Sequence, residues 1–504
     1  MVAPPARRLI QWQSYALMFV VFAALIVPSH LWLVRLPYYW DEAGQFVPAA
    51  LDLLHDGAWI PHSTAPNIHP PALSAYLALV WRFAGFTPET TRFAMLILAV
   101  AAALAAFLLA IELTRDSRGA PAFLAVALLA ISPLFFAQSV LAQLDLPAML
   151  FATIALLLFL QQHIRASAAA CVALVLFKET GVVVPLVLGG WLAWEKRWRD
   201  AMWFAAPVVV LGGWIAVLAR QTGSWAGNAE FVRYNVRTPL DPVRLLLTLV
   251  RRLYFLTIAN FHWIGTAAVA LAWRAGGFRS RPWRIAGLLV AAHVLLFTVL
   301  GGAVLNRYLL PAMPIVFAAM AAAIAWLPKP WRIATTAALV AGLVASNWIN
   351  PPYPFPYEEN LAFADFVRLH ADAADYVAHW YPDAEVQTAW PMSDELLRPE
   401  LGYVSRKVRV HTLPNLSAET LGSLDWDKTD LVVVFSRNWE SRWSLLKRMP
   451  VFNFWERVYD VAPNVTEDEA PLRIPFPAEA SFERRGQWVE IYANPRLRKT
   501  FGAR

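Results

Sequence analysis

A single cysteine, Cys171, stands among 504 residues, so no internal disulfide can form. Charge is also scarce. Asp, Glu, Lys and Arg make up 16% of the chain against 58% hydrophobic residues, with a mean hydropathy of +0.45. That balance excludes a string of soluble domains and belongs to a polytopic membrane protein. The net charge of +7 does not imply nucleic-acid binding, because the cations sit in short clusters between apolar runs. Internal repeats, low-complexity tracts and compact metal-ligand spacings are all lacking. No small-residue cleavage site follows the first apolar run, which Arg7 and Arg8 precede, so that run reads as a retained signal-anchor.

What the chain does have is tryptophan and long apolar segments. Many of its 24 tryptophans, among them Trp32, Trp81, Trp191, Trp273 and Trp348, fall at the ends of apolar runs, as in interfacial belts. Runs long enough to span lie at 15–34, 91–113, 120–140, 146–164, 201–219, 250–273, 285–304, 308–327 and 333–349. The stretch 166–194 holds two shorter runs interrupted by Lys178-Glu179-Thr180-Gly181. Each is roughly 20 Å as helix, short for a full crossing but tolerated beside a cavity. Counting them gives a polytopic α-helical protein of about 11 spans.

If the spans alternate, six basic clusters (Arg7-Arg8, 115–118, 163–165, 196–199, 274–284 and 329–332) fall on one side. The positive-inside rule makes that side cytoplasmic. The loop 35–90, the turns at Asp145 and Lys178, the loop 220–249, Arg307 and everything after 350 are then outside. Within the first outer loop, 42–56 and 71–86 read as amphipathic juxtamembrane helices. Beyond Asn350-Pro351-Pro352-Tyr353-Pro354 the composition turns polar and mixed. A helical pattern at 358–380 precedes strand-like runs at 385–390, 404–413, 430–435 and 488–492. The expected division is 1–350, a membrane domain, and 351–504, an extracytoplasmic α/β domain.

The unusual polar residues gather at the outer ends of these spans: Asp41, Glu42, His62, His69, Asp145, Lys178, Glu179, Arg251, Arg252 and Arg307. Carboxylates beside hydrocarbon are costly and mark a site or pathway. Each residue also has a structural explanation. Asp41 and Asp145 can cap the helices that begin near Glu42 and Leu146. Arg251, Arg252 and Arg307 can snorkel. Lys178 and Glu179 can pair locally, and His62 and His69 read first as loop or capping histidines. Together they offer carboxylates for base work and cations for an anionic group, which suits transfer from a lipid-linked phosphate donor.

Tyr39-Trp40-Asp41-Glu42-Ala43 and His69-Pro70-Pro71-Ala72-Leu73-Ser74-Ala75-Tyr76 resemble the first outer loop of GT-C class polyprenyl-phosphate-sugar glycosyltransferases. The nearest patterns are those of protein O-mannosyltransferases and the lipid A aminoarabinose transferase. Further matches are Gln143-Leu144-Asp145-Leu146-Pro147, Phe177-Lys178-Glu179-Thr180-Gly181 with Pro185, and Arg307-Tyr308 with Pro311. They cover about residues 10–350 in order and spacing, and the tail resembles the outer C-terminal domain of such enzymes. The resemblance implies Asp41 as the catalytic carboxylate, supported by Glu42, and Asp145 as a second acidic site residue. It implies Lys178 and Arg307 as donor-phosphate contacts; the polar residues themselves add His69 to that set, with Arg251, Arg252 and His62 as further candidates. The chain departs from the aminoarabinose enzymes at two positions: His69 replaces a lysine, and Glu179 replaces the glycine after the lysine.

The function these readings imply is a hexosyl- or pentosyltransferase of the cytoplasmic membrane. It moves a sugar, with inversion, from a polyprenyl-phosphate carrier to a hydroxyl of a lipid, glycan or protein, as in lipopolysaccharide or protein glycosylation. No cofactor is required by the residues; a divalent metal, if one binds, would use Asp41 and Asp145. A transporter or flippase of lipid-linked sugars is the competing reading, but such folds carry internal repeats and midplane charges.

Overall fold

Apolar runs of this length have one stable answer in a membrane, the helix, because it satisfies every backbone group internally. The computed structural model describes residues 5–115, 121–237, 240–351, 355–437 and 464–497; Arg118 and Pro352–Pro354 lie outside them. The helices in chain order are α1 (Pro5–His30), α2 (Val47–Asp56), α3 (Ala72–Ala84), α4 (Pro88–Leu113), α5 (Pro121–Ile131) and α6 (Pro133–Gln138). Next come α7 (Asp145–Leu160), α8 (Ile164–Phe177), α9 (Val183–Trp194), α10 (Trp198–Ala201), α11 (Ala205–Thr222) and α12 (Ala229–Val232). Then come α13 (Pro242–Thr257), α14 (His262–Arg274), α15 (Arg281–Val299), α16 (Met313–Trp326), α17 (Lys329–Ser346) and α18 (Ala362–Trp380), followed by short helices at Met392–Leu397, Ala418–Gly422 and Ala470–Arg473.

Among the described residues, five helical segments are long and apolar enough to cross a membrane alone, and the bent pair α13–α14 makes a sixth. Shorter apolar helices, α3, α5, α7, α8 and the Glu179–Trp194 segment, accompany them. The protein is a multi-pass membrane protein. Two of the expected uninterrupted runs are broken. The run 120–140 divides at Ser132, whose extended backbone (φ −66°, ψ 136°) is what a residue before proline prefers. The run 250–273 divides where Asn260 and Phe261 take left-handed φ values of 52° and 63°, which leaves α13 and α14 bent by 43°.

The chain forms two compact units. The first comprises 1–34, 49–86 and 90–349; the second comprises 35–48, 87–89 and 350–504. In the first, α7 lies along α8, and α16 packs on α5 and α14. The core here is made of small and branched side chains, such as Ala99, Ala103, Ala155, Cys171, Ala318 and Ala321, all buried. Small residues let helices approach closely, which matters where lipid offers no hydrophobic drive to associate.

The second unit has a five-stranded sheet of β1 (Glu385–Ala389), β2 (Arg409–Leu413), β3 (Leu431–Phe435), β4 (Ala478–Arg484) and β5 (Gln487–Ala493) in the order β2-β1-β3-β5-β4. β1 pairs in parallel with β2 and β3, whereas β5 is antiparallel to β3 and β4. The fully buried run Leu431-Val432-Val433-Val434-Phe435 marks β3 as the central strand. α18 packs on β4 and β5, and its Phe363, Phe366 and Val367 are buried. β4 went unread in the sequence because Glu479, Glu483 and Arg484 interrupt its apolar alternation. A charged edge strand of this kind resists pairing with another chain.

Candidate active site

Asp145 opens α7, and Pro147 sits two residues later in the first turn, where a missing N–H costs nothing. The carboxylate makes no capping bond to its own helix, contrary to the capping reading. Instead Oδ1 accepts a hydrogen bond from Lys178 Nζ, and Oδ2 lies 3.4 Å from Arg307 Nε. All three side chains are buried.

Lys178 reaches this position because α8 stops. Its backbone is extended (φ −147°, ψ 119°), and a 3-10 turn over Glu179–Val182 leads into α9. The turn fits only because residue 181 is glycine: a Cβ there would lie 2.5 Å from Leu174 Cγ. Lys178 and Glu179 do not pair with each other across the turn, as the local reading supposed. Lys178 goes to Asp145, while Glu179 Oε2 stands 2.8 Å from His69 Nδ1. The two positions at which the sequence departs from the aminoarabinose pattern are thus in contact with each other.

Arg307 enters on a 3-10 turn, Asn306–Ala312, ahead of α16. The preceding loop is fixed by α13, whose polarity runs inside out. Arg244, Thr248 and Arg252, at successive turns, are buried, while Leu246, Val250 and Leu253 are exposed. Such a face suits lipid outside and a polar site within. Arg244 donates to the Gly302 carbonyl and Arg252 to the Leu305 carbonyl. Arg252 is therefore no snorkelling residue; its guanidinium also lies 5.7 Å from the Tyr308 ring centre. Arg251, its neighbour, is half-buried. Sequence reasoning did not single out Arg244 or His293, and it gave Tyr308 no role beyond its place in the Arg307-Tyr308 match. Arg244 follows the proline that starts α13, and a count of inward-facing cations on that helix would have found it.

Asp41, Glu42 and their surroundings lie in the second unit. A π-helical turn spans Glu42–Phe46, and Asp41 makes no side-chain cap to it. Glu42 is buried and accepts the Tyr39 N–H at 2.9 Å through Oε2, bracing the backbone just ahead of Asp41. Between them Trp40 takes a φ of 43°, a strained value for a bulky residue. Its ring is held edge-on by Trp390 at 4.7 Å and Phe366 at 5.9 Å. Packing of this kind holds the twist that turns the chain at Asp41.

His62 lies apart from the Asp145 cluster. Its Nε2 is 2.9 Å from Asp56, while Asp52 Oδ2 accepts the His62 and Ser63 N–H groups at 2.8 and 2.9 Å. Burial of Asp52 favours its neutral form, but these two donors and the His62 ring outweigh that and hold its pKa below the ordinary value. Among the described residues Asp52, Asp56 and His62 offer ligand atoms within 4.8 Å of one another, a spacing that a metal ion can also use. Asp145 does not fit the metal role expected of it. Its two oxygens face an ammonium and a guanidinium, leaving a donor set dominated by cations.

Residues 68–225 match the family model described as dolichyl-phosphate-mannose-protein mannosyltransferase. Comparison with curated protein sequences gives no match. Among solved structures, the chain is similar to ArnT from Cupriavidus metallidurans bound to undecaprenyl phosphate, at 14% identity and a TM-score of 0.54, over 95% of this chain and 98% of that one. The apo state of that protein gives 14% identity and a TM-score of 0.53 over the same shares. The chain thus shares the fold of that ArnT structure, and its residues 68–225 are similar to the mannosyltransferase family.

Proposed function

We propose that the protein transfers a sugar from a polyprenyl-phosphate-linked donor to a hydroxyl of a lipid, glycan or protein acceptor at the outer face of the cytoplasmic membrane. The observation that carries this reading is the buried contact of Lys178 and Arg307 with the Asp145 carboxylate, with the Arg252 guanidinium 5.7 Å from the centre of the neighbouring Tyr308 ring. One ammonium and two guanidinium groups gathered in one low-dielectric place suit an anionic group such as a phosphate. The bound undecaprenyl phosphate of the similar ArnT structure supports the choice of ligand class.

In this reading Asp41 takes the proton of the acceptor hydroxyl as its oxygen attacks the anomeric carbon. The bond from that carbon to the phosphate oxygen breaks, its electron pair stays on the phosphate, and the configuration inverts. Lys178, Arg307 and Arg252 stabilise the charge that grows on the departing phosphate. Asp145 holds Lys178 in place, and Glu179 holds His69 beside it as a further polar contact. About 11 spans with the six basic clusters inside place these groups outside, and residues 351–504 form an extracytoplasmic domain.

The test is transfer by purified Asp41→Asn from a polyprenyl-phosphate-linked sugar. Loss of transfer with an unchanged melting temperature is expected; near-normal transfer would refute Asp41 as the base. Mass spectrometry of the envelope of a deletion strain then identifies the glycan that loses a sugar.

A further inference from the structure

The Lys178 ammonium has a second partner besides Asp145. Its Nζ lies 4.4 Å from the centre of the Tyr308 ring and 5.4 Å from that of Phe297. Both distances are within the range in which an aromatic face attracts a cation, and the attraction grows once water is excluded. The Tyr308 ring is itself held from α15. His293 Nε2 lies 2.6 Å from the Tyr308 carbonyl oxygen, and since a carbonyl only accepts, the imidazole donates there. One turn along the helix, Phe297 stacks on the Tyr308 ring at 5.0 Å with planes 24° apart, and meets His293 edge-on at 4.8 Å. His293 therefore fixes the backbone of residue 308, and Phe297 fixes its ring.

We propose that Tyr308, clamped by His293 and Phe297, is a positioning residue for Lys178 and sets how tightly the cluster holds a polyprenyl phosphate. This rests on the reading of Lys178 as a donor-phosphate ligand. A lysine side chain has four rotatable bonds, and restraining it on binding costs free energy. Asp145 on one side and an aromatic face on the other hold the ammonium before the ligand arrives. The ring does so without adding a second negative charge, which would compete with the phosphate. An acidic residue in place of Tyr308 would hold the lysine as well but weaken anion binding.

The experiment measures the Kd of undecaprenyl phosphate for the full chain in detergent micelles. Tyr308→Phe is compared with proteins carrying mono-, di- and trifluorinated phenylalanine at 308, a nearly isosteric series that progressively empties the ring face of negative potential. Tyr308→Phe is expected to stay within about 2-fold of the parent, and fluorination to weaken binding stepwise to roughly 5- to 30-fold. Tyr308→Leu should fall at the weak end. A flat fluorination series, in proteins whose melting temperatures match, would overturn the proposal. Lys178→Met separates the two levels of the argument. If it leaves Kd unchanged, the phosphate-ligand reading fails and the clamp fails with it. If it weakens binding while the fluorinated series stays flat, the clamp alone fails.

Discussion

Lys178 and Asp145, 33 residues apart in sequence, form a buried ion pair in which the lysine at the break between α8 and α9 meets the first residue of α7. It locks the ends of two packed helices together and leaves Arg307 on the other carboxylate oxygen. Breaking such a pair costs more than omitting it, because the surviving charge stays buried.

Asp145→Ala should therefore lower stability by about 3–5 kcal/mol, and Lys178→Met by less, since Arg307 still faces the carboxylate. The double variant Asp145→Ala/Lys178→Met should recover part of that loss without regaining transfer. Thermal unfolding of the four proteins as a double-mutant cycle measures this, and additive losses would contradict it.

At Gly181 the backbone rests on Leu174. Gly181→Ala places a methyl 2.5 Å from Leu174 Cγ and should cost about 1–3 kcal/mol while displacing Lys178. Leu174→Ala in the same chain should relieve the clash and restore polyprenyl-phosphate binding, although its own cavity persists. Binding that stays weak in the double variant would place the defect elsewhere.

His69 and Glu179 should behave as one unit. His69→Leu and Glu179→Leu are each expected to reduce transfer, and the double variant to be hardly worse than either single one. Independent, multiplicative losses in kcat/KM would show that the two residues act separately.

The Asp52 carboxylate ties down residues 62 and 63. Its pKa is depressed in the folded chain, so its stabilising contribution is complete above the ordinary value of 3.8 and is lost as the pH falls through the lower folded value. Hydrogen exchange at the His62 and Ser63 amides should accelerate only in that acid range, and Asp52→Asn should give fast exchange at neutral pH.

At the opposite end of the spans, Arg281 grips Glu195 with two hydrogen bonds of 2.8 and 2.9 Å, and Trp191 donates to the same carboxylate. Arg281→Lys keeps the charge but loses the fork, for an expected cost of about 1 kcal/mol. A melting temperature equal to the parent's would show that the fork contributes nothing.

Much of this architecture can be read along the chain. The apolar runs, the helix break at Lys178, the short helices near 42–56 and 71–86, and four of five strands follow from periodicity and composition. The candidate residues were visible one at a time, because charge in an apolar context is conspicuous. Their partners were not. Capping explained Asp145 as well as an ion pair did, and Lys178 beside Glu179 suggested a pair that does not form. Tyr308 stood inside the Arg307-Tyr308 match without a role of its own, and His293 carried no signal, since a lone histidine in an apolar run reads as a core residue.

By itself the sequence determined that this is a membrane protein with polar chemistry at the ends of its spans, for the energy of charge in hydrocarbon leaves few alternatives. Only the tertiary structure decided which charges meet. Helix packing and the 3-10 turns at 179–182 and 306–312 bring Asp145, Lys178 and Arg307 within contact distance. They also set His69 against Glu179 and turn Arg252 inward. Contacts of this kind depend on distances between segments far apart in the chain, and no local pattern of residues encodes those distances.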